Sequence, residues 1–497
     1  MAYQLYYRLT GRLTRNEGAG TRVQTKGEER SGTTEKVVFS FLNREVVFPT
    51  VAAIDWNYAE LGKLWTYNLN YFEFLDPERP TYGQALIDAW IVAEAGHRDG
   101  WEPYPLSLRL IAWLRFYADA DRPLPDHVRA SVTRQYKALW GKLEYHLGGN
   151  HLLENALALS LTARFLEDEA GGRRAVGLLT AELAEQYLPD GAHYELSPMY
   201  HLVLLDRTLT VYQGLTTTLA PASAPEIRRT LQTSLQRQLG WAGAFCTPDG
   251  RYAHFNDSTP GIAPSLAAVL DRAKTLGLKS APTPLSASGY RRFSNPGFDL
   301  WIDVAAIGPA YIPGHAHADN LTFTLHYEGR PLLVDTAVST YEKNDRRARE
   351  RATASHNTVT VGGRNSSDVW GGFRVGRRAT TTIESETPNG LTARHDGYGT
   401  PHRRTFALDE AGLSINDELS PGAEGVARFH FHHDRLPELT REGCVVDNLL
   451  LNWPAGRAKL KPYEQAVGWN ETRPGWCLDI TFTGSLSFRL TTQISGA

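Results

Sequence analysis

Leu321-Thr322-Phe323-Thr324-Leu325-His326-Tyr327 alternates apolar and polar residues with a period of two. Upstream, Leu300, Ile302 and Val304 keep the same period against Trp301, Asp303 and Ala305. Successive strand side chains point to opposite faces, so both stretches read as strands with one apolar face. Toward the C-terminus further strands fit Pro331 to Asp335, Asn357 to Val361, Ala379 to Ile383, Arg403 to Leu408, Leu413 to Glu418, Arg428 to His433 and Leu478 to Ile494. Short strands separated by turn signals predict an antiparallel β-sandwich. Toward the N-terminus the period changes across a linker rich in Pro, Ser and Gly, Ser280 to Gly289. Leu153, Ala156, Leu157, Ser160 and Leu161 follow the i, i+3, i+4, i+7, i+8 pattern of one helix face. Helices are predicted over 84–99, 105–119, 124–146, 151–168, 173–187, 201–219, 224–244 and 263–276, joined by turns such as Asp99-Gly100 and Pro189-Asp190-Gly191. Short links between amphipathic helices make neighbours antiparallel. Earlier still, Lys36 to Asn43 and Glu45 to Phe48 read as a hairpin, and Arg12 to Thr34 reads as flexible. The expected organisation is an N-terminal extension with a short hairpin (1–50), a helical domain (51–280) and a β domain (285–497), an α+β multidomain chain.

Composition removes several classes of function. Apolar residues make up 42% and charged residues 22% of 497, ordinary values for a globular protein. Lys and Arg number 52 against 55 Asp and Glu, a net charge of -3, so no global basic field is available for nucleic acid. No apolar run approaches the roughly 18 residues of a membrane span. Met1 to Leu13 lacks the basic start, apolar block and small-residue cleavage site of a secretory leader, which reads as a cytoplasmic chain or as one whose leader was trimmed or replaced. Cys246, Cys444 and Cys477 are too few and too far apart for a disulfide framework. The excess lies in 12 Trp, 22 Tyr and 18 Phe, which pack cores and also stack on sugar rings.

Three clusters could carry chemistry. In Gly148-Gly149-Asn150-His151 a double glycine breaks the chain and Asn150 is placed to cap the next helix. Asn150 and His151 at a helix mouth could also hydrogen-bond a carboxylate or a sugar hydroxyl. Pro189 to His201 is dense in polar side chains between two apolar helical runs, and within it Tyr194, Glu195 and Tyr200 stand out. A phenol near a helix start can donate or accept a proton; packing is the plainer role for Tyr194 and Tyr200. The third cluster is the most specific: Gly314-His315-Ala316-His317-Ala318-Asp319, then Leu333-Val334-Asp335, then Ser355-His356-Asn357. His317, Asp335 and His356 offer two imidazoles and a carboxylate, a set suited to Zn²⁺. On a strand, His-x-His would point both rings to one face, one toward metal and one toward substrate. Asp319 is a competing ligand or a partner that orients one. A run of arginines, Arg346, Arg347, Arg349, Arg351, Arg364, Arg374, Arg377 and Arg378, forms a positive patch, either solvated or suited to carboxylate and sulfate groups.

These clusters, in this order, resemble the heparinase II/III-like polysaccharide lyases, and Leu64 to Phe72 is similar to the opening of that family's helical domain. The resemblance spans roughly residues 40 to 440 and implies an incomplete (α/α) toroid followed by an antiparallel β-sandwich, with the substrate cleft between them. It implies β-elimination at a uronic acid, leaving a 4,5-unsaturated uronate. Asn150 would neutralise the carboxylate, His151 or His315 would act as base or steady the enolate-like charge, and Tyr200 would protonate the leaving O4 or abstract the proton. Tyr194, Glu195, Arg346, Arg349 and Arg374 are the candidate substrate contacts. His317, Asp335 and His356 match the family's metal positions, with Zn²⁺ in a structural role. The implied partner is an anionic polysaccharide: heparan sulfate first, then hyaluronan, chondroitin and alginate. Relatives often work in the periplasm or outside the cell. A glycoside hydrolase on the same toroid would instead need two carboxylates across a cleft, and Asp190, Glu195, Glu154 and Asp319 form no convincing pair. A third reading is a carbohydrate-binding or polysaccharide-assembly protein that has lost its chemistry.

Overall fold

The computed structural model describes residues 22–24, 36–218, 224–281 and 283–493. Of the stretch Arg12 to Thr34, expected to be flexible, only Arg22–Gln24 is described, and it pairs antiparallel with Val37–Phe41; the remainder lies outside the described residues, as does Ile494. The expected hairpin joins Val37–Phe41 to Arg44–Phe48 through Leu42 and Asn43, both at positive φ (56° and 58°). Two left-handed residues are what a tight hairpin turn with the right twist requires.

The helical part comprises α1 (Lys63–Tyr71), α2 (Pro80–Val92), α3 (Pro103–Asp119), α4 (Asp126–Trp140), α5 (Gly149–Phe165), α6 (Glu169–Gln186), α7 (Pro198–Thr218), α8 (Ala224–Ala244) and α9 (Leu266–Thr275). This is the N-terminal toroid. α2 and α3 both begin on proline, which suits the first helical position because its missing N–H would have no partner there. α1 was not among the expected helices: its polar Asn68 and Asn70 blur the apolar stripe. Both side chains turn back to backbone carbonyls four residues earlier, Leu64 and Thr66. Inside this part Trp90 and Trp113 meet edge to face at 5.4 Å, and the Arg109 guanidinium lies 4.0 Å over the Trp90 ring. None of the described helices is long and apolar enough to cross a membrane.

The C-terminal part is antiparallel throughout. An eight-stranded sheet runs in the order Thr381–Thr387, Gly390–His395, His402–Asp409, Gly412–Glu418, Ser485–Thr492, Leu449–Asn452, Cys444–Val446, Glu438–Leu439. A four-stranded sheet runs Arg457–Gly468, Glu471–Thr483, Glu424–His430, Val359–Val361, and another Tyr290–Ser294, Phe298–Asp303, Phe323–Tyr327, Arg330–Leu333. One apolar cluster joins them, with Phe323, Leu325, Phe406, Ile415, Phe429 and Leu478 buried together. The single strand expected over 478–494 is two, Glu471–Thr483 and Ser485–Thr492, because Gly484 turns the chain at φ 73°. Strand Phe298–Asp303 is buried on both faces, so the polar-looking alternation there does not mark a solvent face.

The chain divides into two compact units that interleave in sequence. One is Met1–Gln186, Val203–Gln236 and Ala267–Lys279; the other is Tyr187–Leu202, Arg237–Leu266 and Ser280–Ala497. The loop leading into α7 therefore belongs with the sheets, and so do the groups described next around Tyr200.

Candidate active site and metal-ligand cluster

The glycine pair at the start of α5 does what a double glycine does best. Gly148 and Gly149 have φ of 55° and 53°, a left-handed kink that a side chain would resist. The helix begins at Gly149, so Asn150 lies inside its first turn instead of capping it, and the Gly148 position provides no side-chain cap. Asn150 is buried, at 4% exposure. His151 is half-buried; its Nδ1 lies 3.0 Å from Glu144 Oε1 and its ring 4.4 Å from that of Tyr104. Glu144 is fixed in turn: its backbone N–H donates to Asn155 Oδ1 and its Oε2 accepts from Asn155 Nδ2, both at 3.0 Å. Asn150 and His151 thus form one group, within the first unit.

The second group is built on the segment Asn256-Asp257. Asp257 N donates to the His315 carbonyl at 3.0 Å, and Asn256 Oδ1 accepts from His317 N at 3.0 Å. Asp257 O accepts from Ser197 Oγ at 2.6 Å, and Ser197 Oγ accepts from Tyr200 N at 3.3 Å. One short segment thereby sets the start of α7 against the 314–320 loop. The result is a stack: the rings of Tyr200 and His315 lie 4.0 Å apart and 6° from parallel. His315 Nδ1 is 2.8 Å from Glu195 Oε2, and the Tyr200 and Tyr341 hydroxyls are 3.0 Å apart. Burial pushes both phenols above their usual range. Tyr200, His315 and Tyr341 nevertheless keep part of their surface open.

Behind this stack lies a fully buried set. Asp257 takes Arg347 on both carboxylate oxygens (Nη2 to Oδ2, 2.7 Å) and His317 Nε2 on Oδ1 at 2.9 Å. Burial would raise its pKa, but Arg347 and His317 outweigh that and hold it well below the usual carboxylate range. The Arg347 guanidinium, also bonded to the Gly372 carbonyl, lies 4.8 Å over the Tyr341 ring. His317, Asp319 and His356 bring one ligand atom each to within 4.8 Å of one another, all buried. His317 Nδ1, Asp319 Oδ2 and His356 Nε2 have no hydrogen-bond partner. Buried polar atoms are almost always paired, and three unpaired ones on residues whose ligand atoms gather within 4.8 Å of one another fit a cation. Burial lowers His317 to about 4, leaving a lone pair available. Asp335 Oδ2 instead lies 2.7 Å from His356 Nδ1.

Several expectations change here. The 314–320 segment is a loop, not a strand, and Leu321 follows it at φ 61°. His315 and His317 therefore meet different partners, Glu195 and Tyr200 for one, Asp257 and His356 for the other, instead of sharing a strand face. Asp335 and His356 also sit on loop backbone beside strand ends. Glu195 is the acceptor for His315 and is 4% exposed, and Tyr194 is buried with its ring edge-on to Tyr311 at 6.2 Å. The arginine run splits: Arg347 and Arg351 are 0% and 1% exposed and bonded inside the protein, so they leave the surface patch. Arg349 and Arg374 are exposed and Arg346 half-buried. Asp257, Tyr341 and Glu144 were not anticipated. His254-Phe255-Asn256-Asp257-Ser258, a polar run among apolar helices, was the available signal for Asp257; nothing in the sequence around Tyr341 marks it.

A helical toroid followed by an antiparallel sandwich is the fold that this chain shares with solved polysaccharide lyases. The chain belongs to the heparinase II/III family, matching "Heparinase II/III N-terminus" over residues 65–276 and "Heparinase II/III-like, C-terminal" over 278–493. It is 22% identical over 375 residues to a heparin-sulfate lyase of Bacteroides stercoris, covering 67% of this chain and 53% of that protein. A heparin-sulfate lyase of Pedobacter heparinus is 24% identical over 256 residues, 44% of this chain and 36% of that protein. The chain thus spans about half the length or less of these relatives. Among solved structures, heparinase III superposes with a TM-score of 0.68 at 15% identity, covering 89% of this chain and 80% of the other. A chondroitinase AC lyase superposes with a TM-score of 0.52 at 10% identity, covering 87% and 75%.

Proposed function

We propose that the chain is a lyase that cleaves a uronic-acid-containing polysaccharide by β-elimination, with heparan sulfate the first candidate and hyaluronan, chondroitin and alginate after it. The observation that carries this reading is the Tyr200–His315–Glu195 arrangement. With Nδ1–H of His315 donated to Glu195, the lone pair sits on Nε2, which takes the C5 proton of the uronate. Glu195 then stabilises the imidazolium that forms, the role a carboxylate plays behind a catalytic histidine. The C5–H electron pair becomes the C4=C5 double bond, the C4–O4 bond breaks, and Tyr200 gives its proton to O4. A phenol raised by burial suits an acid better than a base. Tyr341 holds the Tyr200 hydroxyl in place. Asn150, an amide donor with no charge to be neutralised, binds the uronate carboxylate and makes the C5 proton more acidic. His151, oriented by Glu144, is the second imidazole beside it. Arg346, Arg349 and Arg374 supply positive charge for an anionic chain.

The donor set His317, Asp319 and His356 would hold a divalent cation, and two nitrogens with one oxygen suit Zn²⁺. Asp257 and Asp335 orient the two rings. Bound there, the ion would cross-link two loops, 314–320 and 353–356, since the cluster is buried while the Tyr200–His315 stack is open.

Incubation with a panel of uronate polymers, followed by ultraviolet absorbance and mass spectrometry, tests the reaction. Only elimination makes a conjugated double bond. Products that are all heavier by one water would mean hydrolysis and would sink the lyase reading.

A further inference from the structure

Strand Glu424–His430 runs out into a turn that closes where Arg435 N donates to the His432 carbonyl at 2.8 Å. The turn carries His432, His433 and Asp434 in succession, and each brings one ligand atom to within 4.8 Å of the others. Its backbone is held from two sides: His432 N donates to the Leu332 carbonyl and His433 N to Gln465 Oε1, both at 2.9 Å. The second bond also fixes a proton. A side-chain amide atom that accepts a backbone N–H is the oxygen, so His433 Nδ1, 3.0 Å from the same Gln465 Oε1, carries the hydrogen that it donates there. In the neutral ring the lone pair then lies on Nε2, 3.2 Å from Asp434 Oδ1. His432 Nδ1 accepts from Asp434 N at 3.3 Å, so its lone pair lies on that atom, 3.7 Å from Asp434 Oδ2.

Two imidazole lone pairs thus face the two oxygens of one carboxylate, acceptor against acceptor. A proton relieves one such pair; a cation between them serves both. Arg473 Nη1, 3.4 Å from His433 Nε2 on an exposed side chain, and Asp434 N are long contacts that an ion would replace. Tetrahedral Zn²⁺ with nitrogen and oxygen ligands at about 2.0–2.2 Å sets those ligands about 3.4 Å apart, between the 3.2 and 3.7 Å found here. Two imidazoles with one carboxylate suit a borderline ion better than Mg²⁺ or Ca²⁺, which take oxygen. Both rings also line a cavity of about 130 Å³, and on its wall His326 Nδ1 and Thr324 Oγ1 are buried with no hydrogen-bond partner. The cavity is too small for a sugar ring and suits ordered water, which completes an ion's coordination and gives orphaned atoms a partner. Asp335, bonded to His356 of the buried cluster at 2.7 Å, stands in the same wall, so the two ligand sets are neighbours. They differ in access: His317, Asp319 and His356 are buried, whereas Asp434 is exposed.

We propose that His432, His433 and Asp434 form a second cation site, open to solvent, that takes a borderline divalent transition ion such as Zn²⁺ with water completing its coordination. The proposal rests neither on the lyase reading nor on the buried cluster. Histidine-observed NMR of the chelator-treated full chain tests it, with zinc chloride and magnesium chloride as separate titrants. Zinc should shift His432 and His433 saturably, and magnesium should leave both unmoved. Asp434→Asn alters one exposed side chain isosterically, so the metal-free melting temperature should hold. That variant and His433→Phe should each weaken zinc binding at this site by about tenfold or more, at least what loss of an outer partner costs. Arg473→Gln removes a cation beside His433 Nε2 and should tighten binding by about fivefold. Zinc shifts confined to His317 and His356 overturn the proposal and leave the buried cluster standing. It is equally overturned if His433 responds to pH and not to zinc, which leaves a hydrogen-bonded ion pair with Asp434, or if all three variants bind zinc as the wild type does.

Discussion

At the scale of single residues, Tyr200 and Glu195 make separable demands. Tyr200→Phe keeps the ring stacked on His315 and removes only the hydroxyl, so kcat should fall by about 10²-fold or more with KM little changed. Near-normal turnover would make Tyr200 a packing residue. Glu195→Gln leaves the shape intact but can offer its NH₂ to His315 Nδ1 and move the ring proton to Nε2. Loss of an orienting partner typically costs about 10–100-fold, so kcat should drop by that much while the melting temperature holds. A large loss of stability instead would show Glu195 to be a structural acceptor. The sequence singled out Tyr200, His315 and Glu195 but assigned Glu195 to substrate. A pattern of residue types cannot say which carboxylate a histidine finds from 120 positions away.

Among elements, the eight-stranded sheet depends on an ion pair that no sequence period reveals. Arg404 and Asp417 pair across neighbouring strands at 2.7 and 3.0 Å, and His402 Nε2 joins Asp417 at 2.7 Å. Arg404 also donates to the carbonyls of Leu321 and Asn357, tying that sheet to two loops near the His/Asp cluster. Burial would raise Asp417, but Arg404 and His402 hold it at about 2. A carboxyl depressed on folding contributes stability above its unfolded pKa near 3.9 and loses it as pH falls toward 2. Asp417→Asn strands a buried guanidinium and should cost about 3–5 kcal/mol in chemical denaturation, with a flatter acid limb between pH 4 and 2. An unchanged denaturation midpoint would refute that. Strands and helices with a clean apolar face were legible, including the first hairpin strand, Val37–Phe41, whose residues alternate between buried and half-buried. Arg457–Gly468 was not, because its burial is mostly exposed and intermediate and leaves no apolar alternation to read.

For the molecule as a whole, the cluster His317, Asp319 and His356 couples ligand binding to folding. A ligand that binds only the folded chain stabilises it by RT ln(1 + [L]/Kd), about 2.7 kcal/mol at a hundred times Kd. The three orphaned atoms sit where loops 314–320 and 353–356 meet, so an ion there opposes unfolding of the sheet-bearing unit. Chelation should then lower the melting temperature before it lowers the initial rate. His317→Ala should lose metal and stability together, while His315→Ala, facing Glu195 and Tyr200, should lose activity and keep its metal. The two carboxylates are separated by the same assay. Asp319→Asn removes the one with an orphaned oxygen and should abolish binding, whereas Asp335→Asn removes the one already bonded to His356 and should weaken binding by about 10–100-fold. Elemental analysis of the wild type and the four variants checks each step. If Asp335→Asn loses all metal while Asp319→Asn retains it, Asp335 is the ligand and its bond to His356 gives way when the ion binds. If the wild type carries no stoichiometric metal and is indifferent to chelator, the three orphaned atoms need another partner.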